Sequence, residues 1–275
     1  MPELPEVETI VREMHESQLR GLKIQKVIIF WNRTLANQSP EAFAKQIKNQ
    51  TIEDIKRRGK FIVFTLTQST LIVHLRMTGK FFIDSKETPP HPHERVRLYL
   101  NDGRFLRYED QRKFGKWYLL ESEALLEKIG IEPLSPEFTL DAFKDLLKGQ
   151  KRRIKPFLLD QHYVAGVGNI YADEALWAAK IHPARTVDGL KENEIKALYK
   201  AIISVLQAGV ENTGTSLGAA RANYYSVSGR RGNNQDKLKV FRRDGLPCPR
   251  CHTAIQKITL AQRGTHFCPN CQKHP

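Results

Sequence analysis

All four cysteines of this 275-residue chain fall within its last 28 positions, as Cys248-Pro-Arg-Cys251 and Cys268-Pro-Asn-Cys271. Two C-x2-C knuckles separated by 16 residues match the spacing of a two-hairpin zinc ribbon. Each knuckle places two thiolates about 2.3 Å from one ion, and the second pair completes a tetrahedron. Four thiolates leave no open position for water, so the spacing predicts one structural zinc held by Cys248, Cys251, Cys268 and Cys271. A redox C-x2-C has no need of a second copy, and His252 and His266 are read as bystanders beside a complete set. A module this small buries little apolar surface, so metal binding has to stabilise its fold. Between the knuckles, Ala261-Gln-Arg-Gly-Thr-His266 reads as a hairpin tip. There Arg263 presents a planar, permanently charged donor fork suited to phosphate, although an ordinary surface arginine has the same signature.

Clustered thiols do not resemble a disulfide framework spread through a secreted fold. The opening, MPELPEVETIVREM, lacks the basic and apolar regions of a secretory signal. No apolar run approaches the roughly 18 residues needed to span a bilayer, so the chain reads as soluble and cytoplasmic, with no membrane partner. Its charge is less ordinary. Lys and Arg number 44 against 30 Asp and Glu, for a formal net charge of +14. Basic residues cluster at Lys56-Arg57-Arg58-Gly59-Lys60, at Lys151-Arg152-Arg153 with Lys155, at Arg230-Arg231 and at Arg242-Arg243. Such an excess bears on partners rather than fold, and it points to nucleic acid. An anionic membrane surface fits less well, because no amphipathic helix carries a basic face.

The periodicity of the chain changes twice. Val7, Ile10, Val11 and Met14 recur at helical spacing, predicting a helix over roughly residues 5–20. From Lys23 to about Leu120 short β-rich runs follow one another: KVIIFW, KFIVFTLT, TLIVHLRM, RVRLYL, RFLRYED and KWYLL. Strands without intervening helices imply a β-sandwich or barrel. After residue 122, SEALLEKIG, LDAFKDLLKG, KPFLLDQ, NIYADEALWAAKI and LKENEIKALYKAIISVLQAGVEN favour helix. The boundary lies at 121–137, where Gly130, Pro133 and Pro136 interrupt the pattern. Residues 213–234 form a long loop rich in Gly, Ser, Asn and Arg, a length that usually marks function or disorder. The fold class is therefore α+β multidomain. It has an N-terminal helix and β-sandwich domain at 1–121, a helical domain at 137–234 that includes the loop, and a zinc ribbon at 235–275.

Pro2 is the second candidate for chemistry. Removal of Met1 exposes a secondary amine whose pKa, about 8 against about 10.4 for lysine, leaves a usable uncharged fraction at neutral pH. Such an amine attacks carbon electrophiles without a special base, and Glu3 beside it can donate or accept protons. Pro-Glu-Leu-Pro-Glu is equally a good helix start, with Pro5 fixing φ and glutamates near the positive end of the dipole.

Several separated motifs resemble formamidopyrimidine-DNA glycosylase, a bacterial family of repair enzymes acting on oxidised purines. They are MPELPEVET, RRGKF at 57–61, HLRMTGKF at 74–81, DQRKFGKW at 110–117, LLDQHYVAGVGNIYADEALW at 158–177 and GTHFCPNCQ near the end. They run in the family's order over essentially the whole chain. The resemblance implies a bifunctional DNA glycosylase and AP lyase, working by a Schiff base to Pro2 and by β,δ-elimination. It implies that Glu3 is the general acid that helps open the sugar, that Glu6 supports the site, and that Lys60 contacts DNA near the lesion. Met77, Arg112 and Phe114 match the residues that fill the space left by a flipped nucleotide, and His93 matches a histidine on the β side of a DNA cleft. GVGNIYADE would belong to a helix-two-turn-helix in which Gly166 and Gly168 allow tight turns. Asn169 and the following helix N-terminus would hold a phosphate there. Lys155 and Arg263 match residues that reach phosphates. The partner implied is double-stranded DNA carrying oxidised bases or abasic sites, bound by a monomer.

One region departs from the family. The segment from Thr215 to Asn234, where the family reads the damaged base, is basic and carries Tyr224 and Tyr225. The stretch before the zinc module reads KVFRRDG, where the family more often has Tyr-Gly-Arg. Both leave base preference open. A pyrimidine-preferring relative resembling endonuclease VIII keeps the same nucleophile with different base contacts. A silent damage-binding protein keeps charge, ribbon and wedge residues but lacks a competent N-terminus.

Overall fold

The computed structural model describes residues 1–218 and 222–274, so 219–221, at the centre of the expected loop, lie outside the described residues. The chain divides into two compact units. The first is built from Met1–Glu127 and Asn212–Gln235, the second from Lys128–Glu211 and the residues from Asp236 onward.

The first unit opens with α1 (Leu4–Glu16), started by a capping box between Glu3 and Glu6 with a proline in the first turn. Leu4, Val7, Ile10, Val11 and Met14 are buried along one stripe. The helix stops four residues short of the predicted end. Gln18 turns left-handed at φ 54, and the N–H groups of Gln18 and Leu19 return to the carbonyls of His15 and Met14. That is a Schellman stop with glutamine where glycine is usual, which explains why it is hard to read in the sequence.

Eight strands follow: β1 (Ile24–Ile29), β2 (Ile52–Arg58), β3 (Phe61–Leu66), β4 (Thr70–His74), β5 (Gly79–Asp84), β6 (Glu94–Leu100), β7 (Phe105–Asp110) and β8 (Lys116–Leu120). They form two antiparallel sheets, ordered β1-β6-β7-β5 and β2-β3-β4-β8. The two inner faces share one apolar core. Phe81 and Tyr108 from one sheet meet Trp117 from the other at ring-centroid distances of 5.7 and 5.3 Å. The six apolar runs do not reveal β2 or β5, whose sequences IEDIKRR and GKFFID carry charge on alternate or terminal positions. Nor is this half free of helix. Between β1 and β2 lies α2 (Pro40–Ile47), where Ser39 caps the N–H of Ala42 and Phe43 and Ile47 bury one face. Conversely, SEALLEKIG forms only one tight turn, Ala124–Leu126, that buries Leu126 alone.

The segment 212–235 belongs to this first unit, whereas the sequence pattern joins it to the helices before it. The reason is packing at a distance in sequence. Tyr224 and Val227 sit in the sandwich core, and α1 carboxylates take the backbone N–H groups of Thr215 and Ser228.

The second unit contains α3 (Leu140–Leu147), capped by Thr139, α4 (Ile154–Leu159), α5 (Asn169–Ala178) and α6 (Glu192–Glu211). The chain passes from α4 to α5 in two turns. Gln161 braces them by donating to the carbonyls of Leu159 and Val167 and accepting the N–H of Gly166. Gly166 stands at φ +79, a conformation that costs a residue with Cβ about 1–2 kcal/mol. The antiparallel hairpin of β9 (Gln256–Leu260) and β10 (Arg263–Phe267) ends the unit. Among the described residues no helix is long and apolar enough to cross a membrane.

Candidate active site and zinc module

At the head of α1, Glu3 and Glu6 are almost sealed from solvent. Glu6 Oε2 accepts the N–H of Glu3 at 2.7 Å, and Oε1 accepts the N–H of Thr215 at 2.7 Å. One carboxylate therefore ties residue 3 to the start of the 212–235 segment, 209 positions away in sequence. Gly214 beside it stands at φ +79, and a Cβ there would fall 2.9 Å from Glu6 Cγ. Pro2 is buried directly before this cap. While Met1 is attached the Pro2 nitrogen is an amide and no nucleophile, so the nucleophilic role expected of it requires Met1 removal.

Lys60 follows the left-handed Gly59 in the turn between β2 and β3 and is buried. Next to it His74, which the sequence reading did not single out, pairs in register with Phe61. Burial, with the charges of Arg76 and Lys60 in support, pushes the His74 imidazole down to about 3. It is neutral at physiological pH, and Nδ1 accepts the N–H of Arg76 at 3.0 Å. Its only signal in the sequence is its place at the head of the HLRMTGKF motif.

Met77, Arg112 and Phe114 lie on two turns that one buried carboxylate joins. Asp110 accepts the hydroxyl of Thr78 at 2.5 Å and the N–H of Gly115 at 2.7 Å, while Thr78 Oγ1 accepts the N–H of Arg112 at 3.0 Å. The guanidinium of Arg112 stacks 4.7 Å from the Phe114 ring, which is 50% exposed. A half-exposed aromatic on a turn is of a kind suited to insertion between bases. The backbone carbonyl of His93 accepts the N–H of Asp110 at 2.8 Å, placing His93 beside the same carboxylate residue.

In the second unit, Arg263 lies exposed at the head of β10. It is presented by a two-residue turn in which Ala261 and Gln262 are both left-handed. This is the primed turn whose twist suits a hairpin. Asn169, first residue of α5, donates to the carbonyl of Gly264 at 3.0 Å. Lys155, expected to reach a phosphate, is engaged by partners within its own unit. Its relative exposure is 0%, and its ammonium meets Asp173 Oδ1 at 2.6 Å, Thr265 Oγ1 at 2.8 Å and the Gly264 carbonyl at 3.1 Å. It braces the hairpin that carries Arg263. Asp173 also accepts the N–H and Nδ1 of His266 at 2.9 and 3.1 Å, which accounts for His266 as a residue outside the metal set.

Tyr224 and Tyr225 separate. Tyr224 is buried in the sandwich core, its hydroxyl pushed well above the usual range by burial, so it packs rather than reads a base. Tyr225 is half-buried, with Lys80 Nζ 4.5 Å from its ring centroid.

The four cysteine sulfurs lie within 4.8 Å of one another. Their separations of 3.4, 3.4 and 4.0 Å bracket the tetrahedral edge of about 3.8 Å that Zn–S bonds of about 2.3 Å require. Backbone N–H groups of Arg250 and Cys271 donate to the Cys248 and Cys268 sulfurs, as does Nε1 of Trp177 to Cys248, the outer hydrogen bonding that thiolates on a metal need. Arg250 in turn stacks on Trp177 at 4.1 Å. Glu174, also on α5, accepts the N–H groups of Lys239, Val240 and Phe241 at 2.8–2.9 Å. The divergent KVF stretch is thus bound through its backbone. Neither Glu174 nor Trp177 stands out by residue type, although both lie within the NIYADEALW motif.

Residues 1–117 match the formamidopyrimidine-DNA glycosylase N-terminal domain, 129–220 that enzyme's H2TH domain, and 245–273 the zinc finger found in FPG and IleRS. With the four converging thiolates, the last match establishes one structural zinc. The chain is 47% identical to the formamidopyrimidine-DNA glycosylase of Protochlamydia amoebophila, over 99% of this chain and 100% of that protein. It is 45% identical to that of Herpetosiphon aurantiacus over the same shares. Among solved structures it is similar to Lactococcus lactis Fpg in complex with DNA containing an abasic site, at a TM-score of 0.90 and 39% identity over 99% of this chain and 100% of that one. The same Lactococcus enzyme on DNA containing Fapy-dG gives a TM-score of 0.89 over equal shares. With all three segments matched in order and nearly every residue aligned, the chain belongs to the formamidopyrimidine-DNA glycosylase family.

Proposed function

We propose that the chain excises oxidised purines from double-stranded DNA and then cleaves the strand, with the amine of Pro2 as covalent nucleophile. The family makes it a DNA glycosylase and AP lyase. The steps and the residues assigned to them are our reading. A base inside a duplex is out of reach, so the nucleotide must be flipped. Met77, Arg112 and Phe114 fill the gap, with Phe114 as the wedge and Arg112 hydrogen-bonding the orphaned base. Lys60 and His93 contact DNA near the lesion. Arg263, and Asn169 with the N-terminal end of α5, hold phosphates, while the segment 212–235 reads the flipped base.

Once Met1 is removed, Pro2 nitrogen forms a bond to C1′ as the glycosidic C–N bond breaks, and the departing base takes up a proton. Glu3 protonates the ring oxygen as the C1′–O4′ bond opens, and the nitrogen lone pair completes an iminium. The iminium acidifies C2′, so loss of a C2′ proton expels the 3′ phosphate, and loss of a C4′ proton then expels the 5′ phosphate. Water adds to the iminium carbon, and the C–N bond breaks with the nitrogen taking up a proton, which frees Pro2. Zinc takes no part in these steps, and holds the fold of the module that carries Arg263.

The observation that carries this reading is the cap at the head of α1. Glu6 fixes the backbone of Glu3 at 2.7 Å, which supports a defined position for the residue that directly follows Pro2. The test is borohydride trapping of the zinc-loaded, full-length protein on duplexes carrying 8-oxoguanine, a formamidopyrimidine, an oxidised pyrimidine or an abasic site, after intact mass has established loss of Met1. Adducts are expected with both purine lesions and with the abasic site. Trapping confined to oxidised pyrimidines would overturn the purine assignment, and no adduct on any substrate would overturn the nucleophile.

A further inference from the structure

Glu13 lies seven residues beyond Glu6 on α1, two helical turns along the same face. It is 8% exposed, and among the described residues the hydrogen-bond partners of its carboxylate lie in the 212–235 segment. Oε2 accepts the N–H of Ser228 at 2.9 Å, and Oε1 accepts the Ser228 hydroxyl at 3.3 Å and the Arg230 guanidinium at 3.1 Å. Glu6 holds the outgoing arm at Thr215, and Glu13 holds the returning arm at Ser228. Between the two, Lys80 of β5 donates to the carbonyl of Ala222 at 3.0 Å, and the Tyr225 hydroxyl accepts the N–H of Ala222 at 3.2 Å. The arms are joined at their base, where Asn233 donates to the carbonyl of Asn212 at 2.9 Å.

The ion pair is not the reason for a carboxylate at position 13. The Arg230 side chain is 73% exposed, and an exposed pair contributes little. Nor is Glu13 needed to keep this segment on the sandwich, since Tyr224 and Val227 bury into the core beside it. What the carboxylate adds is a charge-assisted, two-oxygen grip on one short turn, the kind of contact that fixes position and orientation together. We infer that Glu13 is a positioning residue that determines base specificity, by setting the height of the returning arm relative to the Glu3 end of the same helix. This rests on the proposed reading of 212–235 as the base-reading segment. The two carboxylates make one rigid helix the common reference for nucleophile and reader. Slack at Glu13 moves the reader without moving the nucleophile.

The test compares Glu13→Ala and Glu13→Gln with the parent, as full-length zinc-loaded proteins, in single-turnover assays on formamidopyrimidine, 8-oxoguanine and preformed abasic duplexes. Glu13→Ala is expected to change the ratio of the two base-excision rates about tenfold, the effect of losing one to two part-buried hydrogen bonds to a charged group, with abasic cleavage within about twofold of the parent. Glu13→Gln retains acceptor capacity at one oxygen and should fall between, which keeps the test open if the alanine variant folds poorly. Equal losses on all three substrates would mean a merely structural role, and an unchanged ratio in both variants would likewise overturn the inference. A third protein with residues 217–222 replaced by a Gly-Ser linker separates the levels. If that replacement shifts the ratio and the Glu13 variants do not, only the role of Glu13 fails. If it leaves the ratio unchanged, the segment is not the reader.

Discussion

Lys155 and Asp173 form an ion pair of 2.6 Å in which both side chains are closed to solvent. Two charges removed from water are tolerated only with good geometry and further hydrogen bonds, and here Thr265, the Gly264 carbonyl and His266 supply them. All three lie on β10, so the pair fixes the strand that presents Arg263. Removing one partner strands the other charge. Asp173→Ala should cost about 3–5 kcal/mol in the unit that contains it. The paired replacement Lys155→Met with Asp173→Leu should recover most of that stability and leave DNA binding weak. Thermal denaturation and DNA titration of the same preparations check both halves. A double variant that binds DNA like the parent would remove the bracing role.

Arg263→Ala should weaken binding to every damaged duplex alike, because phosphate contacts set affinity without carrying base information. The slope of log affinity against log salt should become shallower by about one unit. Cys268→Ser should lower zinc content and produce a similar loss on all duplexes, since the hairpin depends on the metal for its fold. Selective loss on one lesion in the Arg263 variant contradicts this assignment.

Pro2→Gly keeps an α-amine but loses the constrained secondary amine, and base release should fall steeply. Glu3→Gln should impair excision more than cleavage of a ready-made abasic site. Rapid-quench kinetics on both substrates give the answer, and equal losses for Glu3→Gln would place its role elsewhere.

Tyr224 and Tyr225 should behave as different kinds of residue. Truncating a buried aromatic costs about 3–5 kcal/mol, so Tyr224→Ala should lower the melting temperature of the first unit markedly. Tyr225→Ala should change the preference among damaged bases with little loss of stability. A reversed pattern in melting and excision assays would contradict the packing described here.

Acid should destabilise the protein before its carboxylates titrate. His74 is held down to about 3 by burial and the Arg76 and Lys60 charges, and His182 to about 4 by burial with His274 and Arg185. Both are neutral in the folded state, while the unfolded chain takes up protons below its ordinary histidine pKa of about 6.5. Stability from this source is complete above that pH. It falls as pH drops through 6.5, by up to about 1.4 kcal/mol per pH unit for each group, until pH nears the folded values. Denaturation between pH 7 and 5 should show the slope, and His74→Leu with His182→Leu should flatten it.

The zinc set, the start of α1, the sandwich strands with apolar runs and the exposed Arg263 tip are legible in the sequence because each depends on neighbours a few residues away. Two cysteines on a knuckle, a proline and glutamates at a helix start, or a turn between strands carry their geometry in their spacing. The four α5 positions Asn169, Asp173, Glu174 and Trp177 are different. Their residue types are ordinary for a helix, and their partners lie 65 to 95 positions away. Lys155 sits in a basic run that pattern alone sends to the surface, yet Asp173 and the β10 backbone turn it inward. Adjacent tyrosines 224 and 225 look alike on paper and part company because one side of the segment meets the sandwich core and the other meets Lys80. Local chemistry was the sequence's to determine. Which charges are buried, and to which unit the 212–235 segment attaches, only tertiary structure decided, because a carboxylate such as Glu6 or Glu13 takes its meaning from donors brought to it by the fold from more than 200 residues away.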